Sequence, residues 1–230
     1  MAPRKCRRGT PVDPVMQDRA INLTFHGVGD PLRPLDEGEA DVWVTRHQFL
    51  ALLDSVPAGD EVRVTFDDGN SSDLEQALPA LRERGLTATF FVVAGRLGTP
   101  GFLDEDGVRE LAAAGMDVGC HGMRHRPWRG LDDGALREEL VEAKGILEAL
   151  VERPVTEAAC PFGSYDRRVL KTLRGAGYRR AYTSDRGSAR RDGFLQARNS
   201  VGPSDGADLL ARIAAPSLPR RAKLAVKRWR

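Results

Sequence analysis

The hydrophobic positions of this chain fall into short runs of β-branched and aromatic residues that alternate with longer amphipathic segments. The short runs predict buried strands at residues 21–25, 62–66, 88–93, 116–120, 155–160 and 180–183, with a further core segment at 194–201. The amphipathic segments predict helices at residues 45–56, 72–85, 105–114, 132–151 and 166–176. Because strands and helices alternate, we expect parallel strands with helices packed outside them.

Local signals refine this pattern. Thr45 is suited to cap the first helix, and residues 31–44 predict a polar loop held down by Trp43. The longest helix, at residues 132–151, has a leucine-rich face and a glutamate-rich face, and the second predicts a solvent-exposed surface. At 230 residues, the chain is long enough for a single domain with a sizeable core.

Two adjacent carboxylates stand where the run at residues 62–66 stops. Asp67 and Asp68 are followed by Gly69, so the end of the strand brings both carboxylates to the rim of a sheet or barrel. Burying two ionised neighbours without a cation is costly, and a bound metal ion removes that conflict. Aspartate and glycine are also common turn residues, and these residues alone leave both interpretations open.

A pair of histidines follows the strand predicted at residues 116–120. His121 and His125 are two of the four histidines in the chain, and imidazoles at this spacing can chelate one ion from one side of a turn. Taken alone, the pair is also compatible with coincidence at a surface or in the core. Two neutral imidazoles and one carboxylate form a three-ligand site with open positions, which is typical of hydrolytic rather than structural metals.

Three short motifs occur in order along the chain: TFDDG at residues 65–69, HGMRH at residues 121–125 and PFG at residues 161–163. In this order and at this spacing they resemble the motifs of the polysaccharide deacetylases of the NodB-homology type, carbohydrate esterase family four. The second motif of that family has Ser or Thr where this chain has Gly122. The resemblance covers residues 22–201 and implies an α/β fold, a distorted (β/α) barrel of the NodB-homology type in a single domain.

The resemblance also implies roles for the motif residues. The implied ligands of a divalent metal are Asp68, His121 and His125. Zinc is the family default, although these ligand types also accept cobalt, nickel or iron. Asp67 would act as the general base on a metal-activated water. The PFG motif would form the oxyanion hole, where Pro161 precedes Phe162 and the backbone N–H of Phe162 donates to the substrate oxygen.

Two further candidates come from departures from the family pattern. Many members carry an Arg two residues before the Pro of the third motif, where this chain has Ala159. Arg198 is the candidate for that place, although an arginine on a strand is commonly just solvated. No histidine follows Val201, so the C-terminal His motif of the family is missing. In a branch that includes poly-N-acetylglucosamine deacetylases this motif lies at the front of the domain, which makes His26 the candidate general acid, with a turn residue as the alternative.

The formal charge of +2 is unevenly distributed. Eleven of the 35 basic residues lie in residues 1–10 and 212–230, which contain no acidic residue, so residues 11–211 carry 24 basic and 33 acidic side chains. We predict a disordered basic lead at 1–20, a deacetylase domain at 21–211 and a basic tail after it. The tail can be drawn as a helix resting on an anionic membrane surface or as a solvated segment. No motif supports nucleic-acid binding.

Cysteine content and hydropathy indicate the cellular compartment in which the protein is expected. The chain has 3 cysteines at no zinc-ribbon spacing, which argues against a disulfide framework. Cys120 and Cys160 are expected to be small buried residues. No apolar run follows the basic N-terminal residues, and no stretch of about eighteen apolar residues occurs. We therefore expect a cytoplasmic protein, peripheral to the inner face of the membrane if the tail binds lipid.

The predicted function is metal-dependent hydrolysis of the N-acetyl group of an amino sugar, in a glycan or a glycan precursor, with release of acetate. Two alternatives stay open. One keeps the metal and the hydrolysis but acts on a non-sugar amide or a formamide. The other is a catalytically weak glycan-binding or scaffolding protein, which Ala159 and the missing C-terminal His favour. The intact Asp67, Asp68, His121 and His125 disfavour it.

Overall fold

The structure is a computed structural model that describes residues 18–215. Its strands are β1 (Arg19–Phe25), β2 (Gly27–Val28), β3 (Trp43–Val44), β4 (Val62–Asp68), β5 (Ala88–Val92), β6 (Asp117–Cys120), β7 (Glu157–Ala159), β8 (Arg180–Thr183), β9 (Ala189–Arg190) and β10 (Leu195–Ser200). Its helices are α1 (Arg46–Asp54), α2 (Leu78–Glu83), α3 (Glu105–Ala113), α4 (Asp133–Arg137), α5 (Ala143–Val151), α6 (Arg167–Gly175) and α7 (Leu209–Ala214). Two π-helical turns, Asp73–Ala77 and Glu138–Glu142, precede α2 and join α4 to α5.

Seven of the strands within residues 18–215 form a closed parallel barrel. They pair in the order β1-β4-β5-β6-β7-β8-β10, and β10 pairs with β1 to close the ring. The short strand β9 runs antiparallel to β1 outside this ring, and β2 and β3 form a separate small sheet. The predicted single-domain (β/α) barrel is therefore confirmed.

The outward faces of the strands form the main hydrophobic core with the helices. Phe25 of β1, Phe66 of β4 and Phe90 of β5 face the same layer, where the rings of Phe66 and Phe90 stack with centroids 4.6 Å apart. Phe49 of α1 packs edge-on against this row, 5.0 Å from Phe25 and 5.9 Å from Phe66. Thr45 accepts a hydrogen bond from the backbone N–H of Gln48 and so caps α1 as predicted.

The inward faces are largely polar. Because side chains alternate along a strand, Thr65 and Asp67 point into the barrel while Phe66 points out. The hydroxyl groups of Thr24 and Thr65 lie 2.9 Å apart, and the amide of Asn22 donates to Gln196 at 3.3 Å. The inward carboxylate of Asp67 thus belongs to a polar interior, and not to the apolar layer under the helices.

The longest predicted helix is present as α4, a π-helical turn and α5. Its glutamate-rich face is not uniformly solvated, because Glu139 in the π-helical turn has an exposed fraction of 0%. The prediction of a solvent-exposed surface is therefore wrong at this position. Periodicity alone could not reveal the hydrogen-bond donors that bury this carboxylate.

The predicted ends of the domain lie partly outside the described residues. β1 begins at Arg19 and α7 ends at Ala214, so the boundaries drawn after residues 20 and 211 fall inside regular elements. Residues 1–17 and 216–230 are not described, and the disordered lead, the basic tail and its membrane contact stay predictions. Across residues 18–215, the helices are too short or too polar to span a bilayer.

The aromatic row gives a first prediction. We expect Phe66→Ala to lower the free energy of unfolding by about 3–5 kcal/mol, because a fully buried ring between two stacked neighbours leaves a cavity. Leu32→Ala is the matched control, since Leu32 is 65% exposed and its loss should change stability by less than about 0.5 kcal/mol. Urea unfolding of both variants measures the difference, and equal midpoints would contradict the core assignment.

Candidate active site

The carboxyl ends of the barrel strands bring the predicted site residues together at one rim. His26 follows β1, Asp67 and Asp68 end β4, His121 and His125 follow β6, Pro161 and Phe162 follow β7, and Arg198 lies in β10. A cavity of about 310 Å³ opens there, and the side chains that line it include His26, Asp67, Asp68, His121, His125 and Phe162. Residues that are far apart in sequence, such as His26 and Phe162, therefore meet at one cavity, and Arg198 bonds Asp67 across 131 positions of the chain.

The end of β4 turns so that both of its aspartates reach the cavity. Strict alternation would direct Asp68 away from Asp67, but Asp68 has a left-handed backbone with φ 77° and the chain continues through Gly69 at φ 71°. Both carboxylates then lie near one imidazole, with Nε2 of His121 at 3.7 Å from Asp67 Oδ2 and 3.6 Å from Asp68 Oδ1.

Asp68, His121 and His125 form a cluster with the chemistry of a metal site. One ligand atom from each lies within 4.8 Å of the others, and Asp68 Oδ1 is 3.1 Å from Nε2 of His125. Nδ1 of His121 lies 2.8 Å from the carbonyl oxygen of Ala159. This contact places the ring proton on Nδ1 and directs the Nε2 lone pair toward Asp68.

The protonation state of His125 in this cluster is also compatible with binding a cation. Burial, followed by the neighbouring His121, lowers the pKa of His125 to about 4, so this imidazole is neutral at neutral pH. Asp68 Oδ1 is buried and makes no hydrogen bond within the described part of the chain. A buried carboxylate oxygen beside two imidazoles is an incomplete arrangement unless a cation or water joins them.

Asp67 is held by a buried arginine. Arg198 approaches it with both terminal nitrogens, and Nη2 donates to Oδ2 at 2.7 Å. Burial acts to raise the pKa of Asp67, but Arg198, followed by His121 and His26, outweighs it and holds the pKa well below the usual range. Asp67 is therefore ionised at neutral pH, and the geometry predicted for Arg198 is present.

A third buried aspartate lies close to this pair. Asp73, in the π-helical turn before α2, has an exposed fraction of 0%. Burial, and then the charges of Asp68 and Asp67, raise its pKa well above the usual value. The surroundings of Asp73 therefore favour its protonated form more than those of Asp67 do.

His26 and Phe162 complete the cavity wall. Nε2 of His26 lies 3.9 Å from Asp67 Oδ2, and its side chain is partly exposed. Phe162 sits in a turn after Pro161 with a left-handed backbone at φ 56°. Its ring is 68% exposed and lies 4.7 Å from the ring of His125. Burial raises the pKa of the Cys160 thiol to about 12, so the thiol stays protonated.

Sequence reasoning missed the charged residues of the loop that faces the metal-type cluster. Asp36 pairs with Arg96 at 3.3 Å, and Arg96 Nη2 lies 3.4 Å from Nδ1 of His125. Glu39 is held in the same loop by Arg33 and by the backbone N–H of Asp36. In the sequence Asp36 and Glu39 are separated charges in a polar loop and Arg96 lies some sixty residues further on, and only the fold shows that these three line the cavity.

A second cavity, of about 480 Å³, lies at the opposite end of the barrel. Among its charged side chains, Arg180 pairs with Glu157, which also accepts a hydrogen bond from the Tyr182 hydroxyl at 2.9 Å. The Asp–His–His cluster belongs to the other end. The smaller cavity therefore carries the candidate chemistry.

Comparison with known proteins agrees with the motifs. The sequence model of the family described as polysaccharide deacetylase matches residues 55–181. A protein of Bacillus subtilis (strain 168) named as a polysaccharide deacetylase, YxkH, is 29% identical to this chain over 198 residues. The match covers 80% of this chain and 71% of YxkH. The peptidoglycan-N-acetylglucosamine deacetylase of Bacillus cereus is 30% identical over 118 residues, covering 51% of this chain and 53% of that protein. The chain thus spans about half the length of the second relative.

Solved structures agree on the fold. The Streptococcus pyogenes deacetylase PplD, determined in complex with acetate, superposes with a TM-score of 0.75 over 90% of this chain and 100% of that chain. The two sequences are 20% identical. At this identity the likeness supports the barrel architecture alone.

The buried ion pair generates a second prediction. We expect Arg198→Met to lower the free energy of unfolding at pH 7 by about 3–5 kcal/mol, because it leaves a buried, unpaired carboxylate at Asp67. The depressed pKa of Asp67 contributes stability above the unfolded-state pKa of about 3.9, and this contribution is lost as the pH falls through the folded-state pKa. In the variant, burial instead acts to raise this pKa above its unfolded-state value, so the deficit should narrow as the pH falls from 7 and the carboxyl group takes up a proton.

Urea unfolding of chelator-treated protein at several pH values measures this effect. Arg190→Met is the control, since the side chain of Arg190 is 63% exposed and pairs only with exposed acids. Its loss should cost less than about 0.5 kcal/mol. A deficit for Arg198→Met that is small, or that does not depend on pH, would contradict the assigned pair.

Proposed function

Because the chain belongs to the polysaccharide deacetylase family, we propose that it is a metal-dependent hydrolase that removes the acetyl group from an N-acetylated amino sugar. The observation that carries the proposal is the barrel rim, where the arginine-bound carboxylate of Asp67 lies beside a second carboxylate and two imidazoles. The Bacillus cereus relative is named for the deacetylation of N-acetylglucosamine in peptidoglycan. That name supports a sugar acetamide as the substrate class here.

Asp68, His121 and His125 are the residues that would hold the metal. The fit rests on the buried Oδ1 of Asp68, which lacks a hydrogen bond within residues 18–215, and on the Nε2 lone pair of His121 directed toward it. Two imidazoles and one carboxylate are a donor set suited to zinc, which we propose as the metal. When bound, such a cation supplies an acidified water and polarises the substrate carbonyl.

The side chains around the cluster divide the proton transfers between them. Asp67, ionised and oriented by its arginine, accepts a proton from the attacking water. The backbone N–H of Phe162 donates a hydrogen bond to the oxygen that gains negative charge. His26 gives a proton to the sugar nitrogen as its bond to the acetyl carbon breaks, and the products are acetate and a free amine.

The cavity favours a sugar over a larger substrate group. Its volume of about 310 Å³ is near the lower end of the range of about 300–1,000 Å³ found for small-molecule sites. The exposed ring of Phe162 offers an apolar surface beside polar walls, which suits a sugar ring with its alternating CH and OH groups. A single sugar residue of a glycan or glycan precursor fits this description. A non-sugar amide would use the same chemistry, and substrate profiling separates the two.

The test is acetate release by zinc-reconstituted protein from N-acetylglucosamine oligomers and from lipid-linked and nucleotide-linked acetamido sugars. We expect release from at least one of them, loss of release after chelation and recovery when zinc is restored. Asp67→Asn should lower kcat by about 10²–10⁴-fold while the bound zinc is retained. Silence of metal-loaded protein across the panel would move the assignment to a non-sugar amide, and full activity of Asp67→Asn would exclude it as the base.

His26 is tested separately. We expect His26→Ala to lower kcat by about 10²–10⁴-fold, because no other residue is assigned to protonate the leaving nitrogen. The basic limb of the pH–rate profile should also change. His47→Ala is the matched control, since His47 is an exposed histidine in the first turn of α1 and its loss should leave kcat unchanged. Full turnover of His26→Ala with a normal pH profile would show that His26 is only a turn residue and not the general acid.

A further inference from the structure

The loop that carries His125 is bonded to a buried carboxylate from a neighbouring helix. Glu139 is fully buried in the π-helical turn between α4 and α5. Its Oε2 accepts hydrogen bonds from the backbone N–H of Met123 at 2.8 Å and of Arg124 at 3.3 Å. Its Oε1 accepts from Nε of Arg126 at 2.7 Å. The carboxylate therefore bonds residues on both sides of the second histidine.

The opposite side of the same loop is bonded to the segment after β5. The carbonyl oxygens of Gly122 and Met123 accept hydrogen bonds from the backbone N–H groups of Ala94 at 2.9 Å and Gly95 at 3.0 Å. The loop is thus hydrogen-bonded through its carbonyl groups to the segment after β5 and through its N–H groups to Glu139. This constraint is needed because His125 has a left-handed backbone with φ 50°, which costs about 1–2 kcal/mol for a residue other than glycine.

Glu139 also explains why residue 122 is glycine. Gly122 has φ +85°, and a Cβ atom there would lie 2.3 Å from Glu139 Oε2 and 3.1 Å from Nε1 of Trp128. Trp128 Nε1 itself lies 3.4 Å from the same oxygen. The space beside the first histidine, where the family motif has a Ser or Thr side chain, is occupied in this protein by the carboxylate.

We propose that Glu139 is a positioning residue for the metal site, which holds the backbone of residues 122–126 so that the imidazole of His125 faces Asp68. The proposal rests on the metal site of the proposed function. It also couples Gly122 to Glu139. Because residue 122 has no Cβ atom, the carboxylate of Glu139 has room to bond the loop. Outer-shell groups of this kind commonly change metal affinity by about 10–100-fold.

The neighbouring Glu138 provides a matched control. It carries the same charge one residue away and, among the described residues, pairs only with side chains of the loop, those of Arg124 and Arg126, while Glu139 bonds the loop backbone in addition to Arg126. If charge near the arginines were sufficient, both glutamates would matter equally. If the backbone contacts are what counts, only Glu139 should matter.

The experiment compares Glu139→Ala with Glu138→Ala by two measurements that need no substrate. Zinc affinity is measured by competition with a chelating dye, and backbone hydrogen exchange of residues 121–128 is measured on metal-free protein. We expect Glu139→Ala, which removes the acceptor of both backbone N–H groups, to bind zinc about 10–100-fold more weakly and to exchange faster in this loop, with Glu138→Ala near wild type. Unchanged zinc affinity in Glu139→Ala, even with a lowered melting temperature, would overturn the proposal, as would equal losses in both variants.

The coupling with Gly122 is tested by a double-mutant cycle. Gly122→Ala should weaken zinc binding in the wild-type background, because its Cβ displaces the carboxylate. In the Glu139→Ala background the same change should cost clearly less, since the clash with the carboxylate is gone and only the positive φ and the contact with Trp128 Nε1 remain. Additive losses of zinc affinity would show that the two residues act independently and would contradict their coupling.

These outcomes separate the proposal from the proposed function. Wild-type protein that binds zinc but releases no acetate from any sugar would overturn the substrate assignment, while the zinc affinities would still decide the role of Glu139. Wild-type protein that binds no zinc would overturn the metal site and this inference together.

Discussion

The buried ion pair between Arg198 and Asp67 is the interaction on which the rest of the rim depends. Asp67 and Asp68 are adjacent and only 3% and 4% exposed, so water cannot screen their repulsion. Arg198 provides Asp67 with a fixed cation through two hydrogen bonds. Asp68 is then the carboxylate of the pair that faces both imidazoles. Asp67 thus has a permanent counter-charge in Arg198, whereas Asp68 lies in the group that could hold a metal ion.

The closure of the barrel makes this pair feasible. β10 pairs with β1, and β1 pairs with β4, so the last strand comes within reach of the first carboxylate motif. The guanidinium of Arg198 lies 5.3 Å from the ring of Phe91 and 5.8 Å from that of Tyr182, and Ala159 packs in the same small cluster. A small residue at 159 is thus compatible with an arginine from β10, whereas arginines at both positions would bring two guanidinium groups to one carboxylate.

The strands and the chemistry of the rim were predictable because they depend on local pattern and residue type. Alternating apolar runs identified the barrel strands, and the motif residues identified the ends that meet. Glu139 was not predictable, since a glutamate on an amphipathic helix is commonly exposed and its partners come from a loop 11 to 16 residues earlier in the chain. The left-handed turn at Asp68 was predictable only in part, because aspartate and glycine are common turn residues but residue type does not show which of two adjacent aspartates turns. The tail after residue 215 is outside the described residues, and its role stays a prediction.

Backbone strain is concentrated where the chemistry is proposed. Of the five non-glycine residues with positive φ in residues 18–215, three lie at the rim: Asp68, His125 and Phe162. Each costs of order 1–3 kcal/mol and persists only where surrounding contacts hold it. Those contacts are the parallel ladder that ends at Asp68, the double-sided bonding of the His125 loop, and the turn at Phe162 closed by Gly163 N–H to Cys160 O at 2.9 Å. The barrel and its outer helices therefore offset the strain at the rim, and any change that loosens these contacts should disturb the placement of all three residues.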